Sequence, residues 1–513
     1  MLEGLRSIWF HHPEWVTWFV VASYVAFIVA KGIAKTRKIQ HTDDFLLASR
    51  NVGFFLLFCT MGATIIGGGA SIGAVGKTYE MGIVMLFVSM GWYVHLIFSG
   101  LFVAPRFREA RLYTVVGYFG HRFGAAPRFL ALVLSLFFSV FIVAAQMAAF
   151  GWVLASLLPR LSQWLGGTAG GGLGLKAAIV VGGLLVVAYS TAGGLLAVIY
   201  TDVYQFIVLF FGFVVTLVLV APDLFGHFGQ VVAVSPPEFF EPTGGRGWTY
   251  LLTAFFAFLL GEMFAPGYAT RYCVGKDIKQ TKLGIAGVGF FLALTFPVIL
   301  FFIAAYARWR FPDIDAQTAL PMVVRRINNP LVSGLMIGAL LSAVMSSADS
   351  ALNSATAIFV KDLFEHQLGR RDRGDGKTLK LARLCTFLLG VAAILVAVAF
   401  PDIIGLLLIT YHVWAPAVVV PVIYGAFFKA QGPAVGRQVA ITMVVSTAAT
   451  IVFDHTRFAR SLEPAVFGVL VAIGLLAGLR ALWRQPRSGA DHGAPDGTGG
   501  AEAQPDERVS TAP

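Results

Sequence analysis

The chain has 513 residues, 57% hydrophobic and only 13% charged, with 38 Lys and Arg against 27 Asp and Glu. That balance excludes an ordinary soluble domain, in which about 25% of residues are charged. The net charge of +11 does not point to nucleic acid. The basic residues lie between long apolar segments, where they act as an orientation signal.

A helix needs about 20 apolar residues to cross a bilayer. About thirteen such segments follow one another, near 15–33, 52–77, 81–104, 129–158, 174–196, 198–220, 249–272, 284–307, 331–360, 382–400, 402–427, 436–453 and 463–483. The predicted fold class is therefore an all-α polytopic membrane protein. The first segment lacks a small-residue cleavage site and is followed by Lys31, Lys35, Arg37 and Lys38, so it reads as a retained helix. Further basic groups follow the odd-numbered spans: Arg106 to Arg128, Arg271 to Lys282, Lys361 to Arg383, Lys429 with Arg437, and Arg480 to Arg487. The positive-inside rule then predicts a plasma-membrane protein with its N-terminus outside and its C-terminus in the cytoplasm. Arg308, Arg310, Arg325 and Arg326 fall on the outer side and break the pattern. Residues 1–485 read as one transmembrane domain. The tail 486–513, rich in Gly, Ala, Asp and Pro, reads as disordered and cytoplasmic. Cys59, Cys273 and Cys385 are scattered without a metal or redox spacing.

The second and seventh spans are interrupted at mid-length, by Gly67-Gly68-Gly69 and by the run from Gly261 to Gly267 that contains Glu262 and Pro266. Backbone that unwinds in hydrocarbon leaves N–H and C=O groups without water, so such breaks survive where they line a cavity or hold an ion. Two of them at corresponding positions point to a transporter with inverted repeats and a midplane site. The other reading is a pair of helices kinked and packed closely through glycine.

The ninth span carries a polar stripe. Ser342, Ser346, Asp349, Ser350 and Asn353 recur every three or four residues and share one helix face, with Ser347 adjoining. A carboxylate near the bilayer centre costs about 2.5–3.5 kcal/mol on insertion scales. Hydroxyls and a carboxylate on one face suit a hard cation, whereas a lone Ser often only bonds back to the preceding turn. Asp202, near the start of the sixth span, is a second acid, with an interfacial helix-start role as the alternative. Glu262 in the second break reads as a partner for a cationic group or as a half-helix cap. Trp92, His95, Gln146, Phe264, Tyr268, Tyr411, His412 and Trp414 form the pool from which a solute pocket is drawn. A phosphate-cradling loop, a voltage-sensing arginine series and a repeated pore loop are all absent from the sequence.

The stretches G-A-T-I-I-G-G-G-A-S-I-G at 62–73, P-R-F-R at 105–108, Y-S-T-A-G-G-L-L-A at 189–197 with T-D at 201–202, R-Y-C-V-G-K-D at 271–277, and the serine stripe with A-I-F-V-K-D-L-F at 357–364 resemble the sodium/solute symporter family. The resemblance spans nearly the whole chain. It implies a leucine-transporter-like fold: an extra N-terminal helix at 15–33, inverted five-helix repeats at about 52–220 and 249–427, and C-terminal helices at 436–483. Carried over by position, it implies a sodium site made by the carbonyls of Gly67, Ala70 and Ala343 with the side chains of Ser346 and Ser347. It also implies a possible second cation site at Asp202, Asp349 and Ser350, where the extra acid leaves a second sodium and a coupled proton both open.

Gly68 and Gly69 replace bulkier residues of known members and would leave bare N–H groups for a substrate carboxylate. With Ser71, they complete the expected substrate-binding set of Trp92, His95, Gln146, Glu262, Phe264, Tyr268, Tyr411 and His412. The expected function is sodium-coupled symport of a small organic solute, such as an organic anion or amino acid, with no organic cofactor, no nucleic acid, no catalytic residue and a monomer or loose oligomer in the bilayer. Proton coupling and a transporter-like sensor with a separate signalling partner are the alternatives within the fold. An intramembrane enzyme built on His95 or His412 is the rival outside it.

Overall fold

The computed structural model describes residues 14–36, 47–157, 167–168, 171–193, 195–327, 329–369, 375–428, 433–460 and 462–482. The proposed tail at 486–513 lies outside them. Apart from one two-stranded antiparallel pair at Gly167–Thr168 and Gly171–Gly172, the described residues are helical or connecting. In chain order the helices are α1 (Glu14–Thr36), α2 (Phe54–Ile65), α3 (Gly69–Met81), α4 (Val84–Glu109), α5 (Val115–Phe123), α6 (Ala125–Leu157) and α7 (Leu173–Gly193). They continue as α8 (Leu195–Gly226), α9 (Phe228–Val234), α10 (Gly247–Gly261), α11 (Pro266–Val274), α12 (Ile278–Arg310) and α13 (Ala319–Ile327). The last five are α14 (Pro330–Gln367), α15 (Asp375–Ala399), α16 (Ile403–Phe427), α17 (Pro433–Asp454) and α18 (Pro464–Leu482).

Eleven of the described helices are long and apolar enough to cross a membrane, and up to 13 spans result when each bent pair counts as one. The two bent pairs are the interrupted segments: α2 meets α3 at 62° and α10 meets α11 at 54°. Burial sorts the helices into centre and rim. Of its most apolar window, α14 hides 83% inside the protein, whereas α1 hides 22%. The serine stripe therefore lies at the heart of the bundle, packed against α1, α6 and α8. Phe211, Val218, Leu395 and Val452 are each more than half exposed, a surface suited to acyl chains.

Each break has a local cause. In the second, Pro266 opens α11 without an N–H to continue the ladder, Phe264 adopts φ +62°, and Trp414 Nε1 holds the Met263 carbonyl at 3.0 Å. In the first, the chain passes neighbours at a distance no side chain permits. A Cβ on Gly68 would stand 2.2 Å from Ala149 Cβ, and one on Gly69 would stand 2.4 Å from Leu407 Cδ1. Gly68 and Gly69 thus allow close packing instead of leaving open room.

The orientation pattern needs one correction. Arg271, counted above among cytoplasmic loop residues, is wholly buried inside α11. The basic exception at the other end is softened, because Arg310 pairs with Asp223 at 2.5 Å and Arg308 lies over the Tyr79 ring.

Candidate functional site

The two breaks and α14 together line one cavity of about 40 Å³. Gly67, Gly69 and Ala70 line it from the first break, Glu262 and Tyr268 from the second, and Ser347 from α14. Phe138, Ser139 and Gln146 of α6 and Leu407 of α16 complete much of the wall. At about 10–15 Å³ for each water, the space holds a few water molecules. An organic solute requires it to widen.

The first break presents main-chain oxygen and hydroxyls. Ser347 donates to the Thr64 carbonyl at 2.8 Å, and its Oγ would stand 2.5 Å from a Cβ on Gly67. The Gly67 carbonyl accepts from Ser71 Oγ at 2.6 Å. Ser346 turns instead to Asp202 Oδ1 at 2.5 Å, while Ala343 is buried on the turn before it. The N–H of Gly68, expected to be bare, is donated to Gln146 Oε1 at 2.7 Å.

Next to this lies a second polar cluster in which a cation is already supplied. Arg271 Nη2 reaches Asp202 Oδ2 at 3.2 Å and Ser350 Oγ at 2.7 Å, and Nε reaches Thr60 Oγ1 at 3.1 Å. Asp202 also accepts from Thr60 and Ser346, and both ends of the ion pair are fully buried. A buried ion pair is tolerable in so dry a place because Asp202 accepts three hydrogen bonds, from Arg271, Thr60 and Ser346. The guanidinium fills the place between Asp202 and Ser350 where a second cation was expected. Asp349 does not share that place. It turns to Ser190 of α7 and has no ion pair among the described residues.

The second break presents a carboxylate. Glu262 Oε1 accepts from Tyr411 at 2.6 Å and Oε2 from Tyr268 at 2.5 Å, and Tyr411 in turn accepts from Trp92 Nε1 at 2.7 Å. His95 packs against Tyr268 with ring centroids 5.4 Å apart, and neither of its nitrogens has a partner among the described residues. Phe264 is buried and shapes the turn, without lining the cavity. His412 lies elsewhere, 3.3 Å from Asp454 and 3.8 Å from Glu463. A wider space of about 700 Å³, lined by Lys77, Glu80, Arg246, Tyr250, Phe258 and Glu463 among others, opens on that side. Phe258 packs on Trp92 and Tyr411, ring centroids 4.5 and 5.9 Å away, and so separates this vestibule from Glu262.

Sequence reasoning missed Thr60, Thr64, Phe138, Ser139, Leu407 and Arg271 as members of the region. Apolar or singly hydroxylated positions carry no signal of their own. Arg271 did carry one, since it lies only four residues beyond Gly267 in an otherwise apolar stretch.

A model of the sodium:solute symporter family matches residues 45–434. The chain belongs to that family. It is 25% identical to the high-affinity choline transporter 1 of Caenorhabditis elegans, over 71% of this chain and 64% of that one. It is also 25% identical to the high-affinity proline transporter PutP of Bacillus subtilis, over 71% and 77%. The chain thus spans less than two thirds of the choline transporter it resembles. In structure it matches a substrate-bound, outward-open Na+-coupled sialic acid symporter with a TM-score of 0.75, covering 91% of this chain and 98% of the other at 20% identity. That likeness establishes the leucine-transporter-like fold. The family is one of multi-pass membrane transporters, and membership implies sodium coupling.

Proposed function

We propose that this chain is a sodium-coupled symporter that carries a small organic solute through the cavity between the two breaks by alternating access. Sodium sits where α14 meets the first break, on Ser346 and Ser347 with the carbonyls of Gly67, Ala70 and Ala343. The observation that carries the reading is the Ser347 hydroxyl turned onto the Thr64 carbonyl in the last turn before that break and lying against Gly67 within it, where hydroxyl and main-chain oxygens of the kind that replace the water shell of a hard cation come together. The repeats at about 52–220 and 249–427 rock about this point, with the vestibule side outside and the C-terminus in the cytoplasm.

Coupling requires that sodium and solute each raise the affinity of the other by the same factor. One charge moving down 100 mV releases about 2.3 kcal/mol, enough for roughly fortyfold accumulation before any sodium gradient is added. One sodium per solute is the stoichiometry proposed, because Arg271 neutralises Asp202 from within. In proteoliposomes an inward sodium gradient should drive uptake with a Hill coefficient near 1. Uptake indifferent to sodium overturns the reading, and a coefficient approaching 2 overturns the stoichiometry.

A further inference from the structure

We propose that the transported solute carries a cationic nitrogen and that Glu262 is the group that holds it. The inference rests on the transport reading above and names the class of solute for the same cavity.

Among the described residues Glu262 is the one carboxylate on the wall, and no Lys, Arg or His of them lines the cavity. It has no ion pair among the described residues. The guanidinium nearest the wall, behind Ser350, is wholly buried and committed to Asp202. Each Glu262 oxygen accepts one phenol hydrogen, and an ionised carboxylate offers about four lone-pair sites. Acceptor capacity and negative charge therefore remain for an entering cationic nitrogen, with or without N–H groups, and the two phenols fix the direction from which it approaches. A negative charge without a counter-ion is costly inside a membrane. It becomes favourable once a cation arrives, and that is a differential interaction with the loaded state of the kind coupling demands.

An anionic solute meets the opposite situation, repelled by Glu262 with no cationic side chain among the described lining residues to receive it. Phe138 and Tyr268 supply aromatic faces on the same wall, which attract a cation further. Ser139 adds a second point of attachment: it lines the cavity, is 2% exposed, and its hydroxyl has no partner among the described residues. A solute with a cationic nitrogen and an oxygen within the same small frame satisfies both groups.

The test uses the full chain in nanodiscs, with thermal shifts read in NaCl and in KCl. The probes are matched in shape and differ in charge: L-proline against cyclopentanecarboxylate, and choline against 3,3-dimethyl-1-butanol, with D-glucose and pyruvate beside them. A nitrogen-bearing member should stabilise the protein in NaCl while its nitrogen-free counterpart does not. Glu262→Gln should weaken that binding by about 10–100-fold and Ser139→Ala by less. The shift caused by sodium alone should persist in Glu262→Gln, which shows that the variant is folded. The assignment falls if no nitrogen-bearing probe binds, if a nitrogen-free probe binds as well as its counterpart, or if Glu262→Gln binds like the parent. Sodium-dependent binding that ignores Glu262 sinks this inference and leaves the coupling. Glu262-dependent binding that ignores sodium does the reverse.

Discussion

The two broken helices solve the same problem with different chemistry. The first, from Ile66 to Gly68, offers only backbone polar groups: the Gly68 N–H is tied to Gln146, the Gly67 carbonyl accepts from Ser71, and Ser347 holds the Thr64 carbonyl just before it. The second places formal charge on either side of its turn, Glu262 at the mouth and Arg271 one helix further on. Neutral oxygens at fixed spacing suit a bare ion. A carboxylate flanked by tyrosines suits a larger organic cation. On the proposed function, the ion and the solute have separate hosts that meet at the Ser347 side of one cavity.

For sodium affinity the largest expected effect comes from removing hydroxyls on the ion side. Ser346→Ala and Ser347→Ala should each raise the sodium concentration for half-maximal uptake by about 10–100-fold, since interactions with a charged group are each worth about 1.5–3 kcal/mol. Tracer uptake against sodium concentration reads this directly. An unchanged sodium dependence in both variants would move the ion away from the first break altogether.

On the charged side the sharpest change is Arg271→Met. It strands Asp202 in a dry interior, and breaking a buried pair from one end costs about 3–5 kcal/mol. Adding Asp202→Leu should recover most of that loss, because a well-packed apolar pair is often as stable as the ion pair it replaces. Thermal unfolding of the single and double variants decides the matter. Equal instability in both would mean that Arg271 holds the fold through Thr60 and Ser350 more than through the acid.

Much of this division was legible in the residues. Thirteen apolar segments, two of them interrupted, gave the architecture, because hydrocarbon permits so few kinds of spanning structure. The stripe from Ser342 to Asn353 gave the central helix, since polar periodicity inside a membrane has only the interior to face. What stayed hidden was side-chain direction across helices. Asp202 and Asp349 both read as partners of one cation, yet the first met Arg271 and the second met Ser190. Arg271 read as a loop residue because its charge fitted the positive-inside pattern. Glu262 was found but not its two tyrosine donors as a set, because Tyr411 lies 149 residues away.

A smaller effect contrasts a glycine from each side. Gly68→Ala puts a Cβ into Ala149 and should cost about 1–3 kcal/mol of stability, with transport impaired as the break is pushed open. Gly267→Ala meets nothing nearer than 3.9 Å. Lying within α11, it should be neutral or gain about 0.5–1 kcal/mol through the lower backbone entropy of Ala. Similar melting temperatures for the two variants would show that the first break has more slack than its packing implies.

The smallest effect lies where the two broken segments meet. Val52 N–H bonds the Val274 carbonyl at 3.1 Å and Lys276 N–H bonds the Val52 carbonyl at 2.8 Å, so the chain entering α2 is laced to the chain leaving α11. Gln280 extends the seam: its Oε1 accepts from Phe54 N–H at 2.9 Å, while its own N–H and Nε2 donate to Asp277 at 2.8 and 2.6 Å. The Gln280 backbone N–H holds the Asp277 carboxyl below the usual carboxylate range. A group whose folded pKa is depressed stabilises the fold above its unfolded pKa and loses that contribution as pH falls through the folded value. Acidification below the ordinary carboxylate range should therefore loosen the seam slightly, and Asp277→Asn, which caps without titrating, should flatten that part of the melting curve against pH. If the two halves separate at this seam during each cycle, Asp277→Ala should change the rate of uptake more than the affinity for sodium. A variant that shifts only the sodium affinity would place the seam within one rigid body.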